Sequence, residues 1–442
     1  MSRRKKLPRE AVEVTVESLS HEGRGVSRLN GKTVFIDGAL AGEKVSFRYK
    51  RSRSKYAEGS VEEILENESP QRVTPRCNHA AICGGCSLQH LAPDAQIQHK
   101  QNVLLEQLRH IGGVEAESLL PPLTGESWGY RRKARLGVKH VQKKEKVLVG
   151  FREKHSAYIA HIQSCKVLHS SVGDRLTDLA SLVESLSIYN KVAQIEVAID
   201  DQQTALIFRN LETPSEADLS KLLEFSEKYQ QKIYLQPGGP ATVAPLPGQE
   251  DSQLHYQVDK GNITIYFSPA DFTQVNSGIN RAMIEKVMEL MAIRADENLL
   301  DLFCGLGNFT LPLARRAASV TGIEGAESLV NQAKYNAKLN GIDNARFHTA
   351  DLFTCESEPA YLEAGYQKIL LDPPRSGAEQ VVNKWKMQAV EKIVYVSCNP
   401  ATLSRDAGVL VNNRGFCLKS VGVMDMFPHT SHVESVAVFE RK

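Results

Sequence analysis

The feature that most constrains the fold is a series of apolar strands that alternate with helices toward the C-terminus. Apolar residues at helical spacing from Ile279 to Met291 come first. The predicted strands that follow cover residues 298–303, 319–323, 346–349, 368–371 and 392–396. This alternation predicts a doubly wound α/β domain over residues 266–442, with a mostly parallel sheet. Such sheets bind ligands at the carboxyl ends of their strands, so the residues at those ends are the first candidates for a site.

Two further regions are predicted ahead of the α/β domain, because a chain of 442 residues suits two to four domains. Residues 1–70 alternate apolar and polar side chains in short runs that turn signals such as Asn30-Gly31 separate. This pattern predicts a small β-barrel. Residues 71–265 mix strands and helices and are interpreted as an α+β domain, with a hairpin formed by residues 195–199 and 205–207.

The distribution of charge says more than the net charge of +2. Basic clusters cover residues 3–6, 50–55 and 131–135. Any one cluster could be a solvated face, but three in the first third of the chain favour a polyanionic partner. No run of about 18 apolar residues occurs, and none follows the basic N-terminus, so neither a membrane span nor a secretory signal is expected. We therefore expect a cytoplasmic protein.

A glycine-containing loop, from Asp301 to Thr310, follows the first predicted strand of the α/β domain and opens a helix. Gly305 and Gly307 let the backbone turn tightly and approach a ligand. Glu324 ends the next strand, where a carboxylate suits ribose hydroxyls. The loop could serve a dinucleotide, but Thr310 occupies the third glycine position. An acid at the start of the loop is typical of methyltransferases that use S-adenosylmethionine.

Two further strand ends carry reactive groups at the same sheet edge: Asp-Pro-Pro-Arg at residues 372–375 and Ser-Cys-Asn-Pro at residues 397–400. Amino-methyltransferases place an aromatic residue where Arg375 stands, so N-methylation of adenine is disfavoured. A thiolate from Cys398 adding to C6 of uracil would turn C5 into a nucleophile for a sulfonium methyl. Pro400 predicts a helix start, whose dipole would lower the pKa of Cys398.

Removal of the C5 proton needs a base, and Glu434 is the candidate because it follows a turn between the last two strands. His429 and His432 are rival bases, although each suits a structural or RNA-contacting role. The alternative for Cys398 is a small buried side chain at a strand end. Cys304, Cys355 and Cys417 fit that core interpretation better.

Four stretches together resemble the RNA uracil-C5 methyltransferase family: DLFCGLGNFTLPLA, ILLDPPRSGA, VYVSCNPATLSRD and DMFPHTSHVESV. The resemblance implies that Cys398 is the nucleophile and Glu434 the base, and that Phe272 lies near a flipped base. It also implies S-adenosylmethionine contacts at Gln274, Phe303, Asn308, Glu324, Asp351 and Asp372. The family often has Asn at the position of Asp351.

A cysteine quartet lies outside the predicted α/β domain: Cys77, Cys83, Cys86 and Cys165. Four thiolates suit one zinc ion or a [4Fe–4S] cluster, and the spacing leaves both open. The family resemblance implies a [4Fe–4S] cluster, which would shape the RNA-binding region because methylation is redox-neutral.

The segment HEGRGVSRLNGKTVFIDGALAGE resembles a TRAM domain, which implies an RNA-binding module of the OB type. A TRAM domain together with a cysteine quartet resembles the large-subunit ribosomal RNA members of the family. The resemblance implies 23S ribosomal RNA as substrate, with the uridine in a single strand or loop, and we expect a monomer. A transfer-RNA enzyme, a cytosine-C5 enzyme and a non-catalytic ribosome-assembly factor stay open as alternatives.

Overall fold

The structure is a computed structural model that describes residues 10–249, 253–354, 365–385 and 387–442. The basic cluster at residues 3–6 and Cys355 lie outside this range. Within it, the chain forms two six-stranded sheets, a two-stranded sheet and an eight-stranded sheet. No helix in the described part of the chain has both the length and the apolar character that a membrane span requires.

The N-terminal sheet curls around a core that includes Val34, Ile36 and Phe47. Its strands are β1 Val12–Thr15, β2 Ser18–Leu19, β3 Gly25–Leu29, β4 Lys32–Asp37, β5 Lys44–Ser52 and β6 Tyr56–Glu66, in the order β1-β5-β6-β4-β3-β2. Asn30 and Gly31 join β3 to β4 with φ of 51° and 74°, as a two-residue hairpin turn requires. A side chain at Gly59 would lie 2.5 Å from the Phe47 ring. A six-stranded β-sheet therefore stands where the sequence predicts a small barrel.

The second six-stranded sheet has the order β13-β12-β11-β10-β8-β9. Its strands are β8 Lys133–Val141, β9 Lys146–Gly150, β10 Val192–Ile199, β11 Thr204–Asn210, β12 Gln231–Leu235 and β13 Ala244–Pro245. Helices α2 Ser170–Gly173, α3 Leu176–Ser185 and α4 Glu216–Tyr229 accompany it. The predicted hairpin is the antiparallel pair β10–β11. Strands β14 Leu254–Val258 and β15 Ile263–Phe267 form a separate hairpin ahead of the C-terminal part.

The C-terminal sheet has the order β18-β17-β16-β19-β20-β22-β21-β7, where β7 is Ser118–Leu119. Its other strands are β16 Asn298–Leu302, β17 Ser319–Glu324, β18 Ala345–Thr349, β19 Lys368–Leu371, β20 Lys392–Ser397, β21 Phe416–Met424 and β22 Glu434–Arg441. Its helices are α5 Ser277–Met291, α6 Thr310–Ala314, α7 Glu327–Leu339, α8 Glu379–Lys384 and α9 Pro400–Asn413. The first five strands are parallel and match the predicted ones, and β22 enters antiparallel beside β20.

Two elements from the predicted middle range pack against the C-terminal sheet. Helix α1, Pro93–Gln107, continues into a π-helical turn, Leu108–Gly112. Its Ile97 and Leu104 share a core with residues of α9 and β22 such as Leu403 and Phe439. Strand β7 extends the sheet by pairing with β21. The boundaries at residues 70 and 265 stay a prediction, and these two elements tie the middle of the chain to the C-terminal sheet.

Phe439→Ala should lower the free energy of unfolding by about 3–5 kcal/mol, because truncating a buried aromatic ring leaves a cavity. Phe439 lies fully buried between β20 and β21. Urea denaturation measures the change. Tyr158→Ala is the control, since its side chain is 76% exposed and its replacement should change stability by about 0.5 kcal/mol or less. Equal effects of the two variants would contradict the packing described.

Candidate active site

A cavity of about 520 Å³ opens at the carboxyl edge of the C-terminal sheet. The loops after β16, β17, β18, β19 and β20 contribute to its wall, as expected for a parallel sheet. Every predicted catalytic and methyl-donor residue lines this one cavity: Gln274, Phe303, Asn308, Glu324, Asp351, Asp372, Cys398 and Glu434. The structure therefore brings together residues that are up to 160 positions apart in the chain.

The glycine loop takes its shape from positive φ angles and from a buried acid. Phe303, Gly305 and Gly307 have φ of 65°, 53° and 89°. Asp301 is fully buried, and its Oδ2 accepts a hydrogen bond of 2.5 Å from the Thr310 hydroxyl. Burial raises the pKa of Asp301 to about 7. The threonine at the third glycine position thus holds the loop to the end of β16, and the leading acid acts inside the fold.

Glu324 ends β17, Asp351 lies in the loop that follows β18, and both residues line the cavity. Glu324 accepts hydrogen bonds from the backbone N–H groups of Gly305 (3.2 Å) and Ala326 (3.1 Å). Asp351 accepts one from the Phe353 N–H at 2.8 Å. Each carboxylate keeps accepting capacity for the hydroxyl or amino groups of a ligand.

The sequence analysis missed two residues that line the cavity, Phe353 and Tyr256, and one that supports a lining residue, Asn280. The Phe353 ring is 5.7 Å from the Phe303 ring, and the two line the cavity together, which suits a planar heterocycle. The Tyr256 hydroxyl donates to Asn308 Oδ1 at 3.0 Å, and Asn280 exchanges two hydrogen bonds with Asn308. No local motif marks these residues, because each is brought to the cavity by packing.

Cys398 lies between the end of β20 and the start of α9, where Pro400 is the first helical residue as predicted. The predicted lowering of its pKa is wrong. Burial, followed by the nearby Glu434 and Asp372, raises the pKa of Cys398 to about 11, and Arg375 opposes this only in part. Burial and the two nearby carboxyl groups therefore outweigh the helix dipole, and Asn399 caps the helix by accepting from the Ala401 N–H at 3.1 Å.

Glu434 is the first residue of β22 and is 3% exposed. Burial, reinforced by Asp372, raises its pKa to about 8, whereas Arg375 acts in the opposite direction. Burial also raises the pKa of Asp372 to about 7. Near neutral pH the thiol of Cys398 and the carboxyl group of Glu434 are therefore mostly uncharged and Asp372 is about half ionised, and a cation bound among them would favour their ionised forms.

The two rival histidines have different positions. His432 lines the cavity, and its Nδ1 is 2.6 Å from an Arg375 guanidinium nitrogen. Partial burial and Arg375 lower the pKa of His432 to about 4. His429 lies outside the cavity wall, with its ring 3.9 Å from the Trp128 ring, and burial lowers its pKa to about 4. His429 is thus a packing residue of the loop, and His432 is a neutral group beside the arginine.

The cysteine quartet surrounds a second, small cavity of about 20 Å³, which Cys77, Cys83, Cys86 and Cys165 line together. Burial raises the pKa of Cys86 to about 12, and the neighbouring thiols add to the effect. In the described residues, no three Cys, His, Asp or Glu side chains converge closely enough to hold one metal ion. The four thiols nevertheless line one small cavity, although Cys165 is far from the other three in sequence.

Known proteins resemble this chain over its whole length. The chain is 51% identical to the 23S rRNA (uracil(1939)-C(5))-methyltransferase RlmD of Alkalilimnicola ehrlichii, over all of this chain and 99% of the relative. It is 52% identical to the protein of the same name from Hahella chejuensis, over 99% of each chain.

The crystal structure of Pyrococcus abyssi tRNA (uracil-54, C5)-methyltransferase in complex with S-adenosyl-L-homocysteine has the same fold. The TM-score is 0.73 at 24% identity, covering 97% of this chain and all of that one. Residues 5–61 match the TRAM domain model, and residues 94–442 match the tRNA (Uracil-5-)-methyltransferase model. The chain belongs to the tRNA (uracil-5-)-methyltransferase family and carries a TRAM domain at its N-terminal end.

Proposed function

We propose that this protein transfers a methyl group from S-adenosylmethionine to C5 of a uracil in 23S ribosomal RNA. The observation that carries the proposal is that Cys398 and Glu434 share one cavity with the glycine loop and Glu324. Full-length relatives at 51–52% identity are named for this reaction on 23S rRNA. The chemistry needs a nucleophile, a base and a donor site in one water-excluding space.

The reaction follows from the two reactive groups. Cys398 Sγ bonds to C6 of the uracil, and because burial raises the pKa of this thiol, its proton passes to the nearby Asp372 carboxylate as the carbon–sulfur bond forms; the thiolate that departs in the last step recovers this proton. The electron pair moves to C5, which bonds to the methyl carbon as the sulfonium sulfur of the donor leaves. The Glu434 carboxylate then takes the C5 proton, the C5–C6 double bond re-forms, and the sulfur of Cys398 departs.

We infer that RNA reaches this cavity along a groove beside the N-terminal sheet. The groove, of about 620 Å³, lies between that sheet and the loops at residues 84–87 and 153–155. Its lining carries both charges, with Lys50, Arg51 and Lys154 beside Glu58 and Glu153. Ser431 also lines this groove, and the next residue, His432, lines the catalytic cavity. Phe272, which is 70% exposed, stands at the cavity wall, where an aromatic ring can stack on a base that has left its helix.

We propose that the cysteine quartet holds a [4Fe–4S] cluster. Four thiolates that line one cavity also suit a single zinc ion, and the resemblance to the RNA uracil-C5 methyltransferase family favours the cluster. Four cysteine thiolates are the ligand set of a cubane cluster. Such a cluster would supply a covalent centre for the loops that carry Cys83 and Cys165, and no electron transfer enters the reaction above.

The RNA substrate and the oligomeric state belong to the same proposal. We expect the protein to act as a monomer in the cytoplasm, and one chain supplies every residue named in the cavity.

Methyl transfer from labelled S-adenosylmethionine should occur with unmodified 23S rRNA. Labelling of transfer RNA alone, or of neither RNA, would overturn the proposed substrate in favour of a transfer-RNA enzyme or an assembly factor.

Cys398→Ala should abolish methylation, since among the residues that the structure describes the other thiol at the catalytic cavity is the deeply buried Cys304. Labelled methyl transfer to 23S rRNA measures the loss, and S-adenosylmethionine binding should persist. Cys417→Ala, which removes a thiol outside the cavity, is the control and should keep full activity. Near-normal turnover by Cys398→Ala would remove this residue from the mechanism.

Glu434→Gln should trap the methylated intermediate, because the amide cannot accept the C5 proton. We expect a denaturation-stable protein–RNA adduct and a loss of product release of roughly 10²–10⁴-fold, the contribution of a positioned base. Gel electrophoresis under denaturing conditions measures the adduct. Product release at the normal rate would exclude Glu434 as the base.

The rate of C5 proton removal should rise with pH, since Glu434 must be ionised to act and its pKa is raised to about 8. Below that pKa the rate should increase about tenfold per pH unit, and above it the rate should level off. Tritium release from 5-tritiated uridine RNA, followed in a single turnover after the adduct has formed, isolates this step. A rate that is constant between about pH 6 and 9 would contradict the assignment.

Cys86→Ala and Cys165→Ala should each lose bound iron and acid-labile sulfide, because each removes one of four cluster ligands. Metal and sulfide analysis of the purified proteins measures the loss. Cys417→Ala again serves as the control and should retain both. Zinc without sulfide in the unaltered protein would replace the cluster by a zinc site.

A further inference from the structure

The loop at residues 425–431 connects β21 to His432 and Glu434, and most of its anchoring contacts come from elsewhere in the chain. Strand β21 ends at Met424, and β22 begins at Glu434. Asp425, His429 and Thr430 are nevertheless buried. The pairing of β21 with β22 does not extend through this loop. The position of the Glu434 carboxyl group therefore depends on the side chains and backbone groups that hold the loop.

Helix α1 holds the loop through hydrogen bonds from two side chains one turn apart, Gln96 and Lys100. Both are buried, with 2% and 0% of their surface exposed. Lys100 Nζ donates to Asp425 Oδ1 at 2.7 Å and to the Phe427 carbonyl at 2.9 Å. Gln96 Oε1 accepts from the His429 N–H at 2.8 Å. A buried ammonium group is stable only when paired, so this contact specifies where the loop begins.

The segment after Cys86 forms hydrogen bonds with the same loop. The backbone N–H groups of Ser87 and Leu88 both donate to the His429 carbonyl at 2.9 Å. Ser87 Oγ accepts from the Ser431 N–H at 3.0 Å. Gln96 Nε2 donates to the Leu88 carbonyl at 3.1 Å, so the contacts from α1 and those from the segment after Cys86 form one hydrogen-bond network. His429 is held with φ of 65°, a conformation that persists only when its surroundings determine it.

We propose that Gln96, Lys100 and Ser87 are positioning residues that hold the 425–431 loop so that Glu434 reaches the C5 proton. The proposal rests on the proposed role of Glu434 as the base. Ser87 directly follows Cys86, so the same network links the cysteine cavity to the catalytic cavity. A displacement of about 1 Å at a reacting group can cost about 10²-fold in rate, and proton removal is the step that this loop controls.

The test compares Gln96→Leu and Lys100→Met with Gln98→Leu, a control on the same helix whose side chain is exposed. The first two variants should accumulate the methylated protein–RNA adduct and slow tritium release by at least about tenfold, toward the limit set by misplacement. The KM for RNA should stay unchanged. Lys100→Arg keeps the charge and should restore part of the rate. A merely destabilised fold would lower all steps together without enriching the adduct.

A spectroscopic measurement reports the loop independently of turnover. The chain has two tryptophans, and Trp128 lies 3.9 Å from the His429 ring, so Trp128 fluorescence in a Trp385→Phe background follows the loop. Gln96→Leu should change this emission, and Gln98→Leu should not. Normal proton removal by Gln96→Leu would overturn the proposal, whether or not the emission of Trp128 changes.

Glu434→Gln, measured in parallel, separates the two possible failures. An adduct in Glu434→Gln but not in Gln96→Leu overturns the positioning role alone. Absence of the adduct from both overturns Glu434 as the base, and the positioning proposal with it. If Gln96→Leu does not fold, Gln96→Asn, which retains the amide on a shorter side chain, takes its place with the same expected results.

Discussion

The catalytic cavity depends on the exclusion of water from acidic groups that meet at one sheet edge. Burial raises the pKa of Asp372 to about 7, of Glu434 to about 8 and of Cys398 to about 11. On an open surface the pKa of each of these groups would be lower. Their common desolvation makes the cavity receptive to a cationic ligand and makes proton movement part of the chemistry.

The parallel sheet explains why these groups meet, and the loops explain how they are oriented. Strands β16, β17, β19 and β20 end at one edge, so Glu324, Asp372 and Cys398 converge although each belongs to a different strand end. Glu434 arrives by another route, since β22 runs antiparallel beside β20. Its orientation depends on a loop that α1 and the cysteine segment hold from outside the sheet.

Much of the fold could be predicted because its signals are local. The strand–helix alternation predicted the five parallel strands, and the Asn30-Gly31 turn and alternating valines predicted the barrel. The strand ends predicted where the site residues would lie, and all eight line the cavity. Phe353, Tyr256 and Asn280 were missed, since a stacking ring or a supporting hydrogen bond leaves no periodic pattern. The lowered pKa predicted for Cys398 was wrong, because a helix start is visible in the sequence and burial is not.

The sequence by itself determined the family, the order of the strands along the chain, and which side chains are chemically able to act as nucleophile, base and ligand. These properties follow from residue type, spacing and turn chemistry, which are local. Only the tertiary structure decided the protonation of those side chains, the attachment of α1 and β7 to the C-terminal sheet, and the grip on the 425–431 loop. Electrostatic energies and packing depend on distances between residues remote in sequence, and those distances exist only once the chain has folded.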